Sequence, residues 1–361
     1  MATKIHLSLN HSHDSSYDVI IGYKFEQIAR DIHKLSSRGT YYLITDDIVG
    51  RLYGKKFDSL FKKRGLKIHR VTIPHGERYK TRRMKEQIED RLIELHADRQ
   101  SVIIALGGGV IGDLAGFVAS TLFRGIPFIQ IPTTLLAQVD ASIGGKTAVD
   151  HPLGKNLIGT FHQPERVYIN TAVLSTLPEY EYKNGLAEVI KSAVILDKIF
   201  FAYLENHIDQ IKSRDLKILN VIITRCCELK KQIVEKDEKE SGLRRILNFG
   251  HTIGHAIERL DNFRVGHGYA VAIGMIIEAN ISQKLGYVNS NDVLRLRSLL
   301  DAFDLPLVLP NHIRIDDVLE VTKADKKSRN GTVEYTLLRE IGHAEPGIGL
   351  TDKQMHRILG K

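Results

Sequence analysis

The chain has 361 residues, a formal net charge of +8 at pH 7 and a hydrophobic fraction of 43%. This length predicts two domains, and no apolar run approaches the roughly 18–20 residues of a membrane span, so we expect no membrane association. Basic and acidic residues are mixed along the chain and tryptophan is absent, which argues against nucleic-acid binding and favours a cationic cleft for a small anionic substrate.

The start of the chain and its cysteines indicate the compartment. Residues 1–7 lack the long apolar core of a secretory signal peptide. Cys226 and Cys227 are adjacent within a helical pattern, which offers neither a disulfide framework nor a Cys-x-x-Cys metal site. We therefore expect a cytoplasmic protein.

Segments typical of strands and helices alternate in the first half of the chain. Residues 5–9 and 17–21 predict an added antiparallel pair of strands. Further strands are predicted at residues 40–45, 67–73, 101–106, 126–132 and 166–170, with a helix from about residue 81 to 95. This alternation indicates βαβ units and a mostly parallel sheet, so residues 1–177 are predicted to form an α/β, Rossmann-like domain.

The pattern changes after about Pro178. Apolar residues recur every three or four positions in residues 216–234, 246–260, 270–285 and 293–303, which predicts helices. One late strand, residues 333–338, follows the turn-forming pair Asn330 and Gly331. Apart from that strand, residues 178–361 are predicted to form an all-α domain.

A glycine-rich turn follows the strand predicted at residues 101–106. Gly107, Gly109 and Gly112 satisfy Gly-x-Gly-x-x-Gly, in which the glycines let the backbone approach a pyrophosphate at a helix amino end. The alternative is a tight turn with close helix packing. The usual fingerprint has an acidic residue about 20 positions later, which this chain lacks, and Asp46, after an earlier strand, is the better acidic candidate.

Two further polar clusters follow predicted strands. Residues 74–80 form either part of a ligand site or an exposed loop with a helix cap. Thr133 and Thr134 have hydroxyl groups suited to a ribose or phosphate, but a threonine in this position is equally typical of a helix N-cap.

Histidine and acidic residues in the second half indicate a metal site. His251 and His255 are four apart, so they would share one helix face, and His267 follows in a Gly-His-Gly turn. Glu188 lies in an otherwise apolar turn, where an unpaired carboxylate would be costly. Imidazole and carboxylate are the ligands of a catalytic zinc-type site, although each residue alone also has an ordinary structural interpretation.

Basic residues accompany these motifs. Lys191 is three positions after Glu188 and should share its helix face. Lys146 and Lys155 have glycine neighbours, and Arg244 lies four positions before Asn248. Each cation alone would be a surface residue, but together they suggest a cradle for a phosphate or carboxylate.

These motifs resemble those of the 3-dehydroquinate synthases, in the sugar-phosphate cyclase superfamily. The matching segments are residues 107–113, 132–146, 154–159, 185–191, 237–258 and 267–275, and the run 248–258 is highly specific. The resemblance implies an amino-terminal NAD-binding α/β domain and a carboxy-terminal α-helical metal domain, with the active site between them, in a homodimer.

The resemblance also implies a reaction. 3-Deoxy-D-arabino-heptulosonate 7-phosphate would become 3-dehydroquinate and phosphate, a phosphate-lyase step of the shikimate route to chorismate and the aromatic amino acids. In the implied sequence NAD oxidises a hydroxyl, phosphate leaves by elimination, the hydride returns, the ring opens and an intramolecular aldol closes the carbocycle. NAD is regenerated and acts as a catalyst.

Site residues are implied in the same way. Glu188, His251 and His267 would hold Zn²⁺ or Co²⁺, with His255 near the substrate. NAD would be contacted by Asp46, His75, Gly76, Glu77, Lys80, Gly108, Gly109, Val110, Ile111, Gly112, Asp113, Thr133, Thr134, Lys146, Lys155, Val173, Leu174, Ser175 and Thr176. The substrate would be held by Lys146, Lys155, Asn156, Lys191, Lys230, Arg244, Asn248, Asp140 and one of Lys326 or Lys327, and Arg124 would reach a neighbouring subunit's substrate.

One departure from the family pattern concerns Tyr269, where the family usually has glutamate. If that glutamate orients His267 or caps its helix, metal binding would be weaker here; we expect Tyr269 to be tolerated.

Three other functions stay open. The first is a cyclase acting on glucose 6-phosphate or sedoheptulose 7-phosphate. Arg244 and Lys230 favour the heptulosonate phosphate over these two substrates, since only the heptulosonate phosphate carries a carboxylate. The second is a metal-dependent alcohol dehydrogenase of the glycerol dehydrogenase type, which would release NADH. The third is a basic binding protein without enzymatic activity.

Overall fold

The computed structural model describes residues 2–8, 15–35, 39–323, 328–329 and 332–359. The chain divides into two compact units, Met1–Leu177 and Pro178–Lys361, each with a hydrophobic core of its own. Within the described ranges, no helix combines the length and apolarity needed to cross a membrane.

The first unit combines strands and helices in alternation. Its strands are β1 (Thr3–Leu7), β2 (Tyr17–Ile21), β3 (Tyr41–Asp46), β4 (Ile68–Ile73), β5 (Val102–Gly107), β6 (Phe128–Pro132), β7 (Lys146–His151), β8 (Gly154–Phe161) and β9 (Arg166–Ile169). Its helices are α1 (Phe25–Leu35), α2 (Asp47–Val49), α3 (Lys55–Lys62), α4 (Arg82–Glu94) and α5 (Gly109–Thr121). Short 3-10 or π turns cover Gly50–Gly54, Glu77–Tyr79, Leu122–Arg124, Ala137–Ala141 and Thr171–Thr176.

Seven of the nine strands described in the first unit form one sheet, in the order β1-β2-β9-β6-β5-β3-β4. β1 pairs antiparallel with β2, as predicted, and the other neighbours run parallel. From β3 the chain moves outward to β4, returns to β5 on the other side of β3, and continues through β6 to β9. The direction therefore reverses between β3 and β5, and doubly wound sheets bind ligands at the carboxyl ends of strands beside such a reversal.

The parallel strands are buried because helices cover both faces of the sheet. In β3, Tyr42 and Ile44 pack in the core on the side of α4 and α5, whereas Tyr41 and Leu43 pack on the side of α1 and α3. This alternation follows from the two-residue repeat of a strand. It also explains why these strands were recognisable as continuous apolar runs.

An antiparallel hairpin, β7 with β8, was not predicted. Val149 pairs with Ile158 near its middle. Lys146, Lys155 and Asn156, which the sequence suggested as parts of a glycine-flanked cradle, are strand residues of this hairpin.

The second unit is mainly helical. Its helices are α6 (Glu179–Leu196), α7 (Lys198–Asn206), α8 (Ile208–Lys212), α9 (Leu216–Lys236), α10 (His251–Leu260), α11 (His267–Lys284), α12 (Ser290–Ala302), α13 (Ile315–Lys323) and α14 (Asp352–Leu359), and a 3-10 turn covers Leu243–Asn248. An antiparallel sheet contains β10 (Ser328–Arg329), β11 (Thr332–Glu340) and β12 (His343–Thr351). The expectation of an all-α domain with a single late strand is corrected accordingly: Pro346, Gly347 and Gly349 interrupt the strand pattern of β12.

Candidate metal and nucleotide sites

Three helices of the second unit bring together the residues predicted to bind a metal. Glu188 lies in the middle of α6, whereas His251 and His267 are the first residues of α10 and α11. Gly250 turns the chain into α10 with φ 78°, and a Cβ there would lie 2.8 Å from the Val271 carbonyl oxygen. A side chain at position 250 would therefore push α10 away from α11.

The carboxylate of Glu188 faces both imidazoles. Its Oε1 lies 3.5 Å from His251 Nε2 and 3.4 Å from His267 Nε2. Glu188 Oε2 also forms an ion pair with Lys191 Nζ at 2.5 Å. Among the described residues, neither oxygen of this buried carboxylate accepts a hydrogen bond of ordinary geometry. Donor atoms of the three predicted ligands lie within 4.8 Å of one another. This donor set fits Zn²⁺ or Co²⁺.

Neighbouring charges set the protonation of the three groups. Burial opposes ionisation of Glu188, but Lys191 and His267 hold its pKa at about 2. Burial and the charge of Lys191 lower the pKa of His251 well below its usual value. Burial also disfavours the charged form of His267, but Glu188 and Glu258 raise its pKa to about 10. A cation would thus meet an ionised carboxylate and a neutral His251, and would replace a proton on His267.

Glu258, in α10, orients His267. Its Oε2 lies 3.2 Å from His267 Nδ1, which leaves Nε2 facing Glu188. Carboxylate–histidine pairs of this kind fix the ring orientation of a metal ligand. We did not predict this role, although Glu258 is seven positions after His251 and therefore lies on the same helix face.

His255 lies beside the same group. Its ring centroid is 5.3 Å from that of His251 and 5.9 Å from that of His267. The expectation from their spacing that His251 and His255 share a helix face is therefore confirmed. His255, Glu258 and His267 form a second set whose donor atoms also lie within 4.8 Å of one another. The set containing Glu188 is the more enclosed, since His255 is exposed.

Helix α6 supports the turn that carries His267. Gly266 N donates to Tyr180 Oη at 2.6 Å, and Gly268 N donates to the side-chain oxygen of Asn184 at 2.5 Å. Tyr269 stacks on Tyr180, with ring centroids 4.6 Å apart and planes inclined by 13°. Tyr269 thus supports this turn by packing rather than by charge.

Cations predicted to hold the substrate are buried in the second unit. Lys191, Lys230 and Arg244 each expose less than a tenth of their surface. The ion pair between Lys191 and Glu188 confirms the shared helix face expected from their spacing. Buried cations of this kind require anionic or polar partners, and a bound anion would add a further partner to those within the protein.

The loop before α10 is held by Asp237. Its carboxylate accepts hydrogen bonds from Ser241 N, Gly242 N and Arg244 N at 2.9, 2.7 and 3.0 Å. Burial opposes ionisation, but these bonds keep the Asp237 pKa at about 2. The backbone at Arg244 is therefore fixed by a stable anion.

Asn248 is held by a side chain of the same loop. Its Nδ2 donates to Glu240 Oε1 at 2.9 Å. This contact connects the loop to the residues just before His251, which is three positions after Asn248.

In the first unit, most residues predicted to contact NAD lie at one edge of the sheet. Asp46 ends β3, and residues 75–77, 108–113, 133–134 and 173–176 follow β4, β5, β6 and β9. These strands are neighbours and parallel, so their carboxyl ends lie side by side. The reversal between β3 and β5 is at the centre of this edge, where a nucleotide is expected.

Packing explains part of the glycine turn. A Cβ at Gly107 would lie 2.5 Å from the Ile111 side chain, and one at Gly112 would lie 2.8 Å from that of Gln130. A Cβ at Gly109 would meet Ala141 Cβ at 3.6 Å, an ordinary contact. Gly109 is therefore not required by packing within the described chain, and its lack of a side chain leaves the amino end of α5 accessible to an anion.

The structural alternatives considered for other polar residues also occur. Asp46 caps α2 through hydrogen bonds from Ile48 N and Val49 N, and burial raises its pKa. Thr134 Oγ1 accepts a hydrogen bond from Ala137 N at 3.2 Å, as a cap does. Thr133 Oγ1 is buried and has no hydrogen-bond partner among the described residues.

Lys80 is the centre of a cluster of charges. It pairs with Asp113, and its Nζ lies 2.5 Å from Asn156 Oδ1 and 3.8 Å from Glu77 Oε1. Burial opposes its charge, but Asp113 and Glu77 raise the Lys80 pKa above its usual value. Burial raises the pKa of nearby Asp150 to about 6, against the opposite influence of Lys80. Three residues predicted to contact NAD and one predicted to contact substrate are thus brought together.

The remaining predicted residues are more dispersed. Lys146 begins β7 and Asp140 lies in the Ala137–Ala141 turn. Arg124 is exposed and has φ 71°, a value that is unfavourable for a residue with a side chain. Lys326 and Lys327 lie outside the described residues.

Comparisons with known proteins identify the family. The family model described as 3-dehydroquinate synthase N-terminal matches residues 70–184, and that described as 3-dehydroquinate synthase C-terminal matches residues 185–328. A 3-dehydroquinate synthase from Pelobacter propionicus is 46% identical over 351 residues, which cover 96% of this chain and 97% of the relative.

Solved structures agree with this result. A 2-deoxy-scyllo-inosose synthase complexed with carbaglucose-6-phosphate, NAD⁺ and Co²⁺ is 27% identical, with a TM-score of 0.87 and coverage of 99% of both chains. A 2-epi-5-epi-valiolone synthase from Streptomyces hygroscopicus subsp. jinggangensis 5008, with NAD⁺ and Zn²⁺ bound, is 26% identical, with a TM-score of 0.88 and coverage of 97% of this chain and 98% of that one. The chain belongs to the 3-dehydroquinate synthase family.

Proposed function

We propose that this chain is a 3-dehydroquinate synthase that converts 3-deoxy-D-arabino-heptulosonate 7-phosphate to 3-dehydroquinate and phosphate, a lyase reaction of the shikimate pathway. The observation that carries the proposal is the convergence of Glu188, His251 and His267 within 4.8 Å. The 46% identity to a 3-dehydroquinate synthase over 96% of this chain supports the assignment of this substrate.

In this proposal Glu188, His251 and His267 hold Zn²⁺ or Co²⁺. When bound, the divalent cation supplies positive charge that favours loss of a proton from a substrate hydroxyl. Glu258 keeps His267 Nε2 turned toward Glu188 through its contact with Nδ1. The buried position of Glu188 excludes water from one side of the ligand set.

The first unit is proposed to bind NAD at the carboxyl edge of its sheet. NAD, when bound, supplies a hydride acceptor and returns the hydride later in the cycle. Gly109 and the amino end of α5 would receive the pyrophosphate. Lys80, fixed by Asp113, would present its ammonium group to the polar part of the nucleotide. Thr133 would contribute a hydroxyl group that has no other partner among the described residues.

Cationic side chains of the second unit are proposed to hold the anionic groups of the substrate. Lys191 lies directly against Glu188 and would orient an oxygen beside the metal ligands. Arg244, whose backbone is fixed by Asp237, and Lys230 suit a carboxylate, which Arg binds through parallel hydrogen bonds. His255, exposed beside the two other imidazoles, would accept or return a proton.

Lys146, Lys155, Asn156 and Asp140 of the first unit, Asn248 of the second, and one of Lys326 or Lys327 complete the proposed substrate contacts. A homodimer in the cytoplasm is part of the same proposal. The exposed Arg124 follows Phe123, and both have left-handed backbone angles, φ 71° and 51°, a strained arrangement of the kind found at functional positions. Arg124 would act on the neighbouring subunit's substrate.

The alternative functions make different predictions. A cyclase for glucose 6-phosphate or sedoheptulose 7-phosphate would not need Arg244 and Lys230 to bind a carboxylate, and a dehydrogenase would accumulate NADH. A basic binding protein without enzymatic activity would hold neither metal nor NAD and would bind RNA tightly in a salt-sensitive manner.

The deciding experiment measures phosphate release from the heptulosonate phosphate, from glucose 6-phosphate and from sedoheptulose 7-phosphate in parallel. Release from the first alone, without net NADH, is expected. Activity should be lost with EDTA and return with Zn²⁺ or Co²⁺, and His251→Ala should lose bound metal whereas His255→Ala keeps it. Full activity of metal-free protein, or preference for another sugar phosphate, would refute the proposal.

A further inference from the structure

We propose that Glu278 is a positioning residue that holds His251 in place for metal binding by capping α10 from the neighbouring helix α11. The inference rests on the metal site proposed above and adds to it a residue that lies outside the ligand set.

The contacts of Glu278 lead to the start of α10. Its side chain is fully buried. Its Oε2 accepts a hydrogen bond from Gly250 N at 2.6 Å, and its Oε1 accepts one from Ile253 N at 3.5 Å. The first N–H groups of a helix have no acceptor within that helix. Gly250 has no side chain to act as a cap, so α11 supplies the acceptor that the sequence before α10 does not contain.

Close packing of two glycines makes this contact possible. A Cβ on Gly274 would overlap the Gly250 carbonyl oxygen. Gly274 and Glu278 are four positions apart and therefore lie on the same face of α11. Because the two backbones touch at Gly274, the Glu278 side chain reaches the first turn of α10 from the next turn of α11.

The capped position is next to a metal ligand. His251 directly follows Gly250, and its Nδ1 lies 3.1 Å from the Phe249 carbonyl oxygen, which leaves Nε2 facing Glu188. The orientation of the ring thus depends on the backbone of residues 249–251. Without the carboxyl group, Gly250 N would lose its acceptor, and the partial positive charge at the helix start would lose its counter-charge. The His251 ring would then no longer be held at the position that the metal requires.

Two variants of Glu278 and one control separate this role from general stability. Glu278→Gln keeps the shape but places an amide N–H₂ against one of the backbone donors. Glu278→Asp keeps the charge with a shorter reach. Ser282→Ala is the control, because Ser282 is buried one turn further along α11 but bonds to the Glu278 carbonyl oxygen and to Leu338 N instead of to α10.

The measurement is Co²⁺ affinity of the metal-free full chain, by competition with a chromophoric chelator, together with the visible spectrum of the Co²⁺ complex and the thermal unfolding midpoint. Glu278→Gln should weaken Co²⁺ binding about tenfold and alter the spectrum, because its amide oxygen replaces only one of the two acceptor atoms and its N–H₂ group faces the other backbone donor. Glu278→Asp should recover part of the affinity. Ser282→Ala should lower the unfolding midpoint with affinity and spectrum unchanged.

Parent-like Co²⁺ affinity and spectrum in Glu278→Gln would overturn the positioning role, even if the variant unfolds at a lower temperature. If Glu278→Gln does not fold, Glu278→Asp decides: parent-like affinity overturns the role and weakened affinity supports it. Absence of Co²⁺ binding by the parent chain would instead overturn the metal site itself, and this role with it.

Discussion

Replacement of Tyr269 by glutamate, the residue that the family resemblance implies at this position, tests how the His267 turn is supported. Tyr269 stacks on Tyr180 at 4.6 Å, and Tyr180 accepts a hydrogen bond from Gly266 N, directly before His267. Glu258 already contacts His267 Nδ1. A glutamate at position 269 would therefore remove packing without filling an empty orienting position.

The magnitude follows from the lost stack and the local charge. An aromatic pair contributes about 0.5–1.5 kcal/mol beyond area burial. Burial, Tyr180 and the acidic neighbours Glu179, Glu181 and Asp304 raise the Tyr269 pKa to about 12, so the surroundings disfavour a negative charge. With a few tenths of a kcal/mol for like-charge repulsion, Tyr269→Glu should destabilise the protein by about 1–2 kcal/mol. This corresponds to a fall of about 3–6 °C in unfolding midpoint for a unit of this size.

A variant series separates the two effects. Tyr269→Phe keeps the ring and loses only a hydroxyl contact of 3.4 Å to the Tyr180 carbonyl oxygen, so its stability should change by less than about 0.5 kcal/mol. Tyr269→Gln should lose the stack without the repulsion and fall between Phe and Glu. Thermal unfolding at pH 7, followed by circular dichroism, gives the order.

Metal content and turnover provide the second readout. In Tyr269→Glu, Co²⁺ affinity should be unchanged or lower, whereas Glu258→Gln should weaken it about 10- to 100-fold. A large rise of both metal affinity and turnover in Tyr269→Glu would refute the reasoning, because it would mean that tyrosine impairs the site. Parent-like metal affinity in Glu258→Gln would show that Glu258 does not orient His267.

Three further predictions concern other parts of the chain. Gly109→Ala should keep or slightly raise thermal stability, because its Cβ would meet only Ala141 at 3.6 Å, but should weaken NAD binding by calorimetry at least about tenfold by blocking the anion position; unchanged NAD affinity would place the pyrophosphate elsewhere. Asp150→Asn should gain about 1 kcal/mol of stability relative to the parent as pH rises from 4 to 7. The Asp150 pKa is about 6 in the folded protein against 3.8 in the unfolded chain, so in the parent this carboxyl group stabilises the fold below pH 3.8 and loses that contribution as pH rises to 6. Unfolding midpoints of parent and variant across this pH range test the prediction, and a difference between them that does not change with pH would count against it. Lys191→Met should destabilise the metal-free protein by about 1.5–3 kcal/mol, since it removes the ion pair from buried Glu188 and leaves His267, at 3.4 Å, as the cationic partner of that carboxylate. Zn²⁺ should recover most of that loss in thermal melts; a metal-free midpoint equal to that of the parent would contradict the ion pair's importance.

The sequence was sufficient for much of the first unit, because β3, β5 and β6 are buried on both faces of the sheet and their sequences are therefore mainly apolar. The hairpin of β7 and β8 was missed for the opposite reason. It is partly exposed, and Pro152, Gly154 and Gly159 break its alternation. β12 was missed for the same reason, since Gly347 and Gly349 interrupt it.

The site divides in a similar way. Lys191 was placed beside Glu188 by helix periodicity alone, and the choice among the histidines came from the family resemblance. Glu258 and Glu278 were not predicted, because an isolated acidic residue in a helix is usually solvent-exposed. Their roles depend on the backbone contact between α10 and α11, which joins residues distant in the chain and has no local signal beyond the glycines themselves.

The burial of charged residues in the helical unit determines a charge balance. Among the described residues of this unit, Glu188, Glu258 and Glu278 formally contribute three buried negative charges, and Lys191, Lys230 and Arg244 contribute three buried positive charges. With neutral imidazoles these charges cancel, so a divalent ion in the proposed metal site would leave two positive charges in excess. An anionic substrate would offset that excess, so occupation of the metal site would favour binding of the anion, and the anion would in turn strengthen metal binding.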